Sequence, residues 1–492
     1  MISRSKKRQF KKQLQKFLPG FAILDSYEEL IPYECDGLSA FRCLPLMVVL
    51  PEHIEQVQKI VKICREFAIP IVPRGAATGM SGGALPVANG IILSCAKLNR
   101  IINVDVISRT ARVQAGVRNA VISQKVKKLG LHYTPDPRAQ IASTIGGNVA
   151  QNVGGLHSLK HGFTIQNILE VTIVTIDGEI VTVGGSGLDS PGYDLLALLT
   201  GSEGLLGIIV EVVVKLVAKP EANNTLLAIF GGVNDASQFS NDLINAGIIP
   251  AALAIIDNFA IRIIEKTVAV NYPVEAGAIV LCDLEGLVWE VERQTEFVNM
   301  LMLTNGAIDV RIANQKNQCD LLWQSYKAVF TTIVTLAPDY FCVDGTIPIK
   351  DLTKVLRDIS QLSVAANLNI ANVINVSSGC LLTTILFDSN KPDEIVRVKQ
   401  LAGKILDLCI IVGGSISGEQ GIGVKKLDNM CHQFDNQSLS ILQQIKAAFD
   451  EQELLNPGKV VPTLQYCSDL EAVFDFQAEL PPSQLDVTKI NG

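Results

Sequence analysis

At 492 residues the chain has room for two or three domains with ample core, and a net charge of −7 argues against a nucleic-acid partner. The hydrophobic fraction is 48% and the charged fraction only 18%, yet no apolar run reaches the roughly eighteen residues needed to span a bilayer. The richest, Leu195 to Val217, is broken by Ser202, Glu203, Glu211 and Lys215. The eleven cysteines include no C-x-x-C pair, so neither a disulfide framework nor an Fe–S or zinc site is expected, and the compartment reads as the reducing cytoplasm.

The first segment, 1–40, opens with Arg4, Lys6, Lys7, Arg8, Lys11, Lys12 and Lys16 and no acid before Gly20. Phe10, Leu14, Phe17 and Leu18 share one face of a helix there. Two readings stay open for it. Such a helix can meet anionic lipid on the inner membrane or an acidic partner, or it can dock on its own domain with its lysines in water. It lacks the long apolar core of a secretory signal.

Leu46–Leu50 reads as a strand, and Pro51 opens a helix where its missing N–H costs nothing. Ile54, Val57, Ile60, Val61, Cys64 and Phe67 form that helix's buried stripe before a strand at Ile69–Val72; the crossover predicts parallel pairing. Strands at Ile91–Ser94, Ile101–Val104 and Thr110–Val113 precede a helix near Asn119–Leu129. Leu169–Ile176 and Glu179–Val183 alternate across Asp177-Gly178, a hairpin turn that needs φ > 0. Gly207–Val217 alternates again. After Pro220, strand–helix–strand repeats predict a ferredoxin-like sheet with helices on one face. The fold class is α+β. Residues 41–219 form the first domain, 220–420 a cap over the substrate, 421–465 a return to the first domain, and 466–492 a loosely ordered tail.

Two glycine-rich stretches carry the chemistry. Ile69 to Leu85 runs from an apolar strand through Arg74 into a loop with Gly75, Gly79, Gly82 and Gly83, where N–H groups can converge on phosphate oxygens. It is neither G-x-G-x-x-G nor a P-loop. Thr134 to Gly155 contains Gly146-Gly147 at the start of a short helix, with Asn148 and Asn152 placed one turn apart on one face. The glycines there are expected to let a ligand approach the open N–H groups of the helix end.

Together these segments resemble the FAD-binding domain of the vanillyl-alcohol oxidase superfamily. Pro32 to Ala40, Gly201-Ser-Glu-Gly204, Gly413 to Gly423 and Leu455 to Lys459 extend the resemblance, over roughly residues 20–465, to the flavin-carrying D subunits of bacterial glycolate oxidases, relatives of D-lactate and D-2-hydroxyglutarate dehydrogenases. The resemblance implies non-covalent FAD held by Arg74, Gly75, Thr78, Gly79, Ser81, Gly82 and Gly83. It adds Pro135, Asp136, Ser143, Ile145, Gly146, Gly147, Asn148, Asn152, Gly154, Gly155 and Gly162 from the second stretch, then Glu203, Gly207, Ile208 and Asn456. Ala77 stands where many relatives have glycine.

The same resemblance implies oxidation of a small 2-hydroxy acid, with electrons passed to flavin-like and Fe–S partner subunits; a homo-oligomer is also compatible. Metal-dependent members place two histidines where this chain has Asn375 and Leu382, and a base where it has Gln420 beside a retained Glu419. Their substrate-carboxylate arginine falls on Tyr326, and Lys327, turned by about 100° on a helix, is expected to point elsewhere. No metal is expected. Of the five histidines, only His157 and His161, just after the second stretch, are candidates to sit near a flavin. Two readings follow. One is a dehydrogenase with an altered site; the other is an FAD-binding paralogue with a structural or regulatory role and little turnover.

Overall fold

The structure, a computed structural model, describes residues 2–38, 41–185, 187, 192–268, 270–333 and 337–470. Ser39 and Ala40 and most of the tail, 471–492, therefore lie outside the described residues. The first sheet contains β1 (Ile23–Leu24), β2 (Met47–Val49), β3 (Ile71–Arg74) and β4 (Ile91–Ser94) in the order β1-β2-β4-β3. The expected parallel pairing is present, but β2 and β3 each pair with β4 and not with each other. The helix Ile54–Glu66 covers this sheet with Val57, Ile60, Val61 and Cys64, all at 0% exposure.

Next come β5 (Ile101–Asp105), β6 (Thr110–Gln114), β7 (Leu131–His132), β8 (Ile168–Val174), β9 (Ile180–Gly184), β10 (Ile208–Lys215) and β11 (Val217–Ala218). Five of them form a second sheet, β5-β6-β10-β8-β9, while β7 pairs with β11. The hairpin at Asp177-Gly178 has the predicted geometry, with Gly178 at φ +73° and Val174 opposite Ile180. Leu454 and Leu455 join the same core, and Asn456 N–H donates to Ile71 O at 2.8 Å, so the C-terminal part of the chain returns beside β3.

The third sheet is built from β12 (Ala222–Phe230), β13 (Ala252–Asp257), β14 (Ala278–Gly286), β15 (Ala307–Ala313), β16 (Asp339–Thr346), β17 (Asn369–Asn375) and β18 (Cys380–Phe387). Its order is β15-β12-β14-β13-β17-β18-β16, with antiparallel neighbours throughout. Helices were expected on one face, and they occupy both. Val233–Asn245, Val288–Thr304, Leu352–Ala366 and Pro392–Ile411 pack on one side. Asn258–Thr267 and Lys316–Ile333 pack on the other. The cause is visible in the strands: β13 and β14 are buried at successive positions, so both faces need cover. Lys316–Ile333 is the helix that carries Tyr326 and Lys327 towards the second glycine-rich stretch.

The N-terminal helix Arg4–Leu14 is capped by Ser3, whose hydroxyl accepts from Lys6 N at 3.2 Å. Phe10 and Leu14 are fully buried, Phe10 meets Phe67 edge-on at 5.6 Å, and Lys11 pairs with Asp25 at 2.9 Å. The face that would enter lipid is spent on the helix's own domain. Among the described residues no helix is long and apolar enough to cross a membrane. One sequence expectation is corrected outright. Cys431 and Cys467 form a disulfide, with Cα atoms 5.6 Å apart, because the helical residues 464–470 fold back against Leu427–Gln433. Their separation of 36 residues matched no spacing pattern that could have revealed it.

Candidate functional site: a glycine-lined cleft beneath the cap

A cleft in the first domain is lined by Pro73, Arg74, Gly75, Cys95, Ala115, Thr144, Gly146, Gly147, Ala150, Glu203, Gly204, Gly207 and Ile209. Both glycine-rich stretches thus meet at one place, with the Glu203 turn between them. In the first loop, residues 76–79 donate no backbone hydrogen bond among the described residues, which leaves a run of N–H groups for anionic oxygens. Ala77 holds φ +54° there, a left-handed angle that costs an L-residue about 1–2 kcal/mol.

The second stretch works differently from expectation. Its helix Ile145–Gln151 does not offer open N–H groups, because Ile145 N donates to Val117 O, Gly146 N to Ala115 O and Gly147 N to Thr144 Oγ1. Gly146 is there for close packing: a Cβ would lie 2.7 Å from the Ala115 Cβ. Asn152 does not share a helix face with Asn148. It is the C-cap at φ +45°, its side chain accepting from Ile165 N at 3.0 Å. Ser143 Oγ and Asn148 Nδ2 are buried without a partner among the described residues.

Several predicted cofactor residues prove to hold the loops themselves. Arg74 donates to the carbonyls of Tyr33, Cys35 and Ala84; Ser81 donates to Gln420 O at 2.7 Å. Asn456 Nδ2 reaches Gly83 O and Glu203 O. Pro135 O accepts from Asn119 Nδ2, and Asp136 faces Lys327 and the His157 N–H. A Cβ on Gly82, Gly154, Gly155, Gly162 or Gly207 would strike Val424, Phe163, Asp136, Gln166 or Ile173, each at 2.8 Å or closer. Ile208 pairs with Val174 in the second sheet, and Gly79 lies against Gln151.

The loop 418–425 ties the cap to both stretches. Asp344 Oδ2 accepts N–H groups from Gly418, Glu419 and Gln420 at 3.1–3.3 Å. Its Oδ1 pairs with Lys426 Nζ at 2.7 Å, both side chains 2% exposed. Glu203 accepts from Ile422 N and Gly423 N at 2.6 and 3.1 Å, and burial pushes its carboxyl up to about 7 against those bonds. Gln420 Oε1 accepts from Met80 N, and its carbonyl accepts from both Ser81 Oγ and Gln151 Nε2.

The catalytic candidates converge. Asn375 Nδ2 donates to Gly155 O at 2.8 Å and to Glu419 Oε1 at 3.1 Å, while its own Oδ1 is buried without a partner among the described residues. Glu419 is 5% exposed, and the Nε of Arg138 lies 3.8 Å from its Oε2. Arg138 also donates to Tyr326 Oη at 3.4 Å, with its guanidinium 5.7 Å from the ring centroid. Sequence reasoning missed Arg138, although it stands in plain view in Pro135-Asp-Pro-Arg138. It missed Asp344 and Lys426 as well. Lys327, expected to point elsewhere, reaches Asp136 Oδ2 at 3.4 Å, so the helix sends both neighbours into the second stretch. Burial raises the Tyr326 phenol, so the hydroxyl that accepts from Arg138 stays protonated.

His161 is accounted for at the domain interface, its Nε2 2.8 Å from Glu285 Oε1, with His132 and His157 beside it. Burial alone would raise the Glu285 carboxyl, but the His161 bond and the nearby His157 and Lys160 hold it down to about 2. A carboxylate depressed in the folded state contributes stability above its usual 4.5 and loses it as pH falls through about 2. Urea titrations across that window should show wild type losing about 3 kcal/mol more than Glu285→Gln. Parallel pH profiles for the two proteins would contradict the pairing.

Among the described residues no group of three or more His, Cys, Asp or Glu side chains is placed to share a metal ion. A larger cavity of about 870 Å³ lies in the cap, lined by Phe259, Arg262, Lys266, Asn369 and neighbours, with no lining from the glycine-rich stretches.

A glycine-lined cleft in one domain, joined through the 418–425 loop to a large antiparallel sheet in the other, defines a class, and comparison with known proteins agrees. Residues 45–184 match the family described as FAD binding domain, and residues 219–460 match FAD linked oxidases, C-terminal domain. The fold is similar to that of p-cresol methylhydroxylase, with TM-score 0.78, 17% identity, and 94% and 98% of the two chains covered. The chain is 48% identical to the glycolate oxidase subunit GlcD of Escherichia coli (strain K12), over 96% of this chain and 95% of that protein. It is 31% identical to a D-lactate dehydrogenase of Anaerostipes hadrus, over 85% and 89%. The chain belongs to the FAD-linked oxidase family and is an FAD-dependent oxidoreductase.

The residues present fit that cofactor: donor-rich backbone at 76–79 and, within the second stretch, Ser143 Oγ and Asn148 Nδ2, which have no hydrogen-bond partner among the described residues. Gly147 gives a clean probe, because a Cβ there would meet only Thr144 Oγ1, at 3.3 Å, while the residue lines the cleft. Gly147→Val should leave the fold intact and lower FAD affinity by about 10–100-fold, the effect of overfilling a packed site by 1–3 kcal/mol. Reconstitution followed through the flavin absorbance checks it; full FAD content at wild-type affinity would place the cofactor elsewhere.

Proposed function

We propose that this chain oxidises a small 2-hydroxy acid, glycolate or D-lactate, to the corresponding 2-oxo acid and passes the electrons to a separate redox subunit in the cytoplasm. The observation that carries this reading is the buried cluster of Glu419, Asn375, Arg138 and Tyr326, assembled where the cap meets the FAD-binding domain. The names of the similar proteins point to the same substrates.

Bound FAD supplies an acceptor for the Cα hydride. The chain supplies the rest. Glu419, held by Asn375, takes the hydroxyl proton at a carboxylate oxygen. The base is thus Glu419, since the Gln420 amide is not titratable and is turned to Met80 N. The cap sheet keeps water from the cluster, which strengthens each of these interactions. The cysteines lack Fe–S spacing, so a partner subunit carries the electrons onward.

Anaerobic addition of glycolate or D-lactate to the purified yellow protein tests the reading. The oxidised flavin band should bleach within seconds to minutes. A flavin that dithionite reduces but neither acid touches would favour the paralogue without turnover.

A further inference from the structure

We propose that β15, an edge strand of the cap sheet, is the docking edge for a second copy of this chain, paired antiparallel about a two-fold axis at Val310. This goes beyond the catalytic reading and does not depend on it.

The strand reads Ala307-Ile-Asp-Val-Arg-Ile-Ala313. From either end the apolar residues fall at the same places around Val310, and the two charges exchange for their opposites. A two-fold interface is self-complementary, each residue meeting its counterpart's partner in both directions. With Val310 opposite its own copy, Asp309 of one chain lies across from Arg311 of the other, and this happens twice. Ile308 likewise comes across from Ile312. Opposite charges facing each other on adjacent strands are favourable, and like charges there are unfavourable.

The edge is open to such a partner. Among the described residues, 307–313 make no backbone hydrogen bond outside the sheet except at Ala313 O, which accepts from Cys319 Sγ at 3.3 Å. Ile308 and Ile312 are 69% and 46% exposed. Asp309 and Arg311 already pair at 3.2 Å, and Arg311 Nη1 donates to Asn271 O at 2.9 Å, so both charges are held at the edge. The opposite edge, β16, is partly taken: Thr346 and Ser415 exchange backbone bonds at 2.8 and 2.9 Å, and Lys425 sits on Cys342 O. The second sheet's edges lack the symmetry, since β9 carries no charge and β5 only Asp105.

Exposed edges are commonly blunted by proline, lysine or a bulge. β15 has neither residue, and its bulge falls at Ile308, between the pairs Ile229–Asp309 and Phe230–Ala307. The central three residues, Asp309 to Arg311, keep regular register with β12. One strand pair is small against the roughly 1,200–2,000 Å² of a stable interface. The helix Val288–Thr304, packed over β12 and β15, exposes Trp289, Met300 and Leu303 as further apolar surface beside it.

The test is sedimentation of FAD-loaded full-length protein at about 1–100 µM, where a modest interface dissociates. Wild type should pass from monomer to dimer across that range. Asp309→Arg and Arg311→Asp each set like charges opposite each other twice, so either should raise the dimer Kd about 10–100-fold, with flavin content and melting unchanged. Mixed in equal parts, the two variants restore both opposite-charge pairs and should re-form a dimer that neither makes alone. Val310→Cys should cross-link to itself under mild oxidation, because opposed Cα atoms about 4.5–5.5 Å apart lie within disulfide reach. Wild type treated alike is the control. A chain that stays monomeric at the highest concentration, or that dimerises only with a different subunit, would overturn the proposal. So would a dimer that both charge variants leave intact, or a mixture that associates no better than its components.

Discussion

Asp344→Ala should cost about 3–5 kcal/mol of stability, because it strands the buried Lys426 ammonium and removes the acceptor of three successive N–H groups. The same change frees Glu419 from its place, so flavin reduction should fall as steeply as stability does. Urea unfolding and single-turnover reduction measured on one preparation separate the two losses. Lys426→Met gives the complementary half, since it leaves Asp344 as an unmatched buried anion. If both variants unfold within about 1 kcal/mol of wild type, the ion pair does not hold the 418–420 loop.

The second large effect is chemical. Glu419→Gln keeps an acceptor for Asn375 Nδ2, so the loop should survive, but an amide cannot take a proton. Loss of a general base lowers rates by about 10²–10⁴-fold. Anaerobic stopped-flow with glycolate should show that drop in the reduction rate at saturating substrate, with FAD content changed far less. A rate within about threefold of wild type would remove Glu419 from the proton transfer. Tyr326→Arg, the substitution that sequence comparison would suggest for restoring an anion site, should instead impair the protein, because it places a second guanidinium against Arg138.

What could be read from the chain in order was local. The Gly178 turn, the stripe Ile54 to Phe67 and the two glycine-rich stretches announce themselves through φ > 0 requirements and periodicity within a few residues. The two-faced cap was readable too: Ile279 to Cys282 is apolar without alternation, the mark of a strand covered on both sides, and that signal was overlooked. Contacts made across the fold were not legible. Arg138 meets Tyr326 across 188 positions, and Asp344 meets Gln420 across 76. No spacing rule connects them. Three of the glycines carry a second, long-range meaning that no local pattern shows: a Cβ on Gly82, Gly154 or Gly162 would strike protein atoms at 2.8 Å or closer.

The carbonyl of Gln420, shared by Ser81 and Gln151, has a thermodynamic consequence. It belongs to the cap's return loop, and its two donors belong to the first glycine loop and to the helix Ile145–Gln151, which flank the cofactor cleft. Whatever orders those loops also fastens the cap, so the two hydrophobic cores are linked equilibria with a common latch. A ligand that binds only the folded state adds about 2.7 kcal/mol at a hundred times its Kd. Through this latch that increment is shared: FAD bound in one domain raises the free energy needed to open the other. The flavin-free protein should accordingly breathe at the seam before either core melts, and the loaded protein should unfold as a single cooperative body.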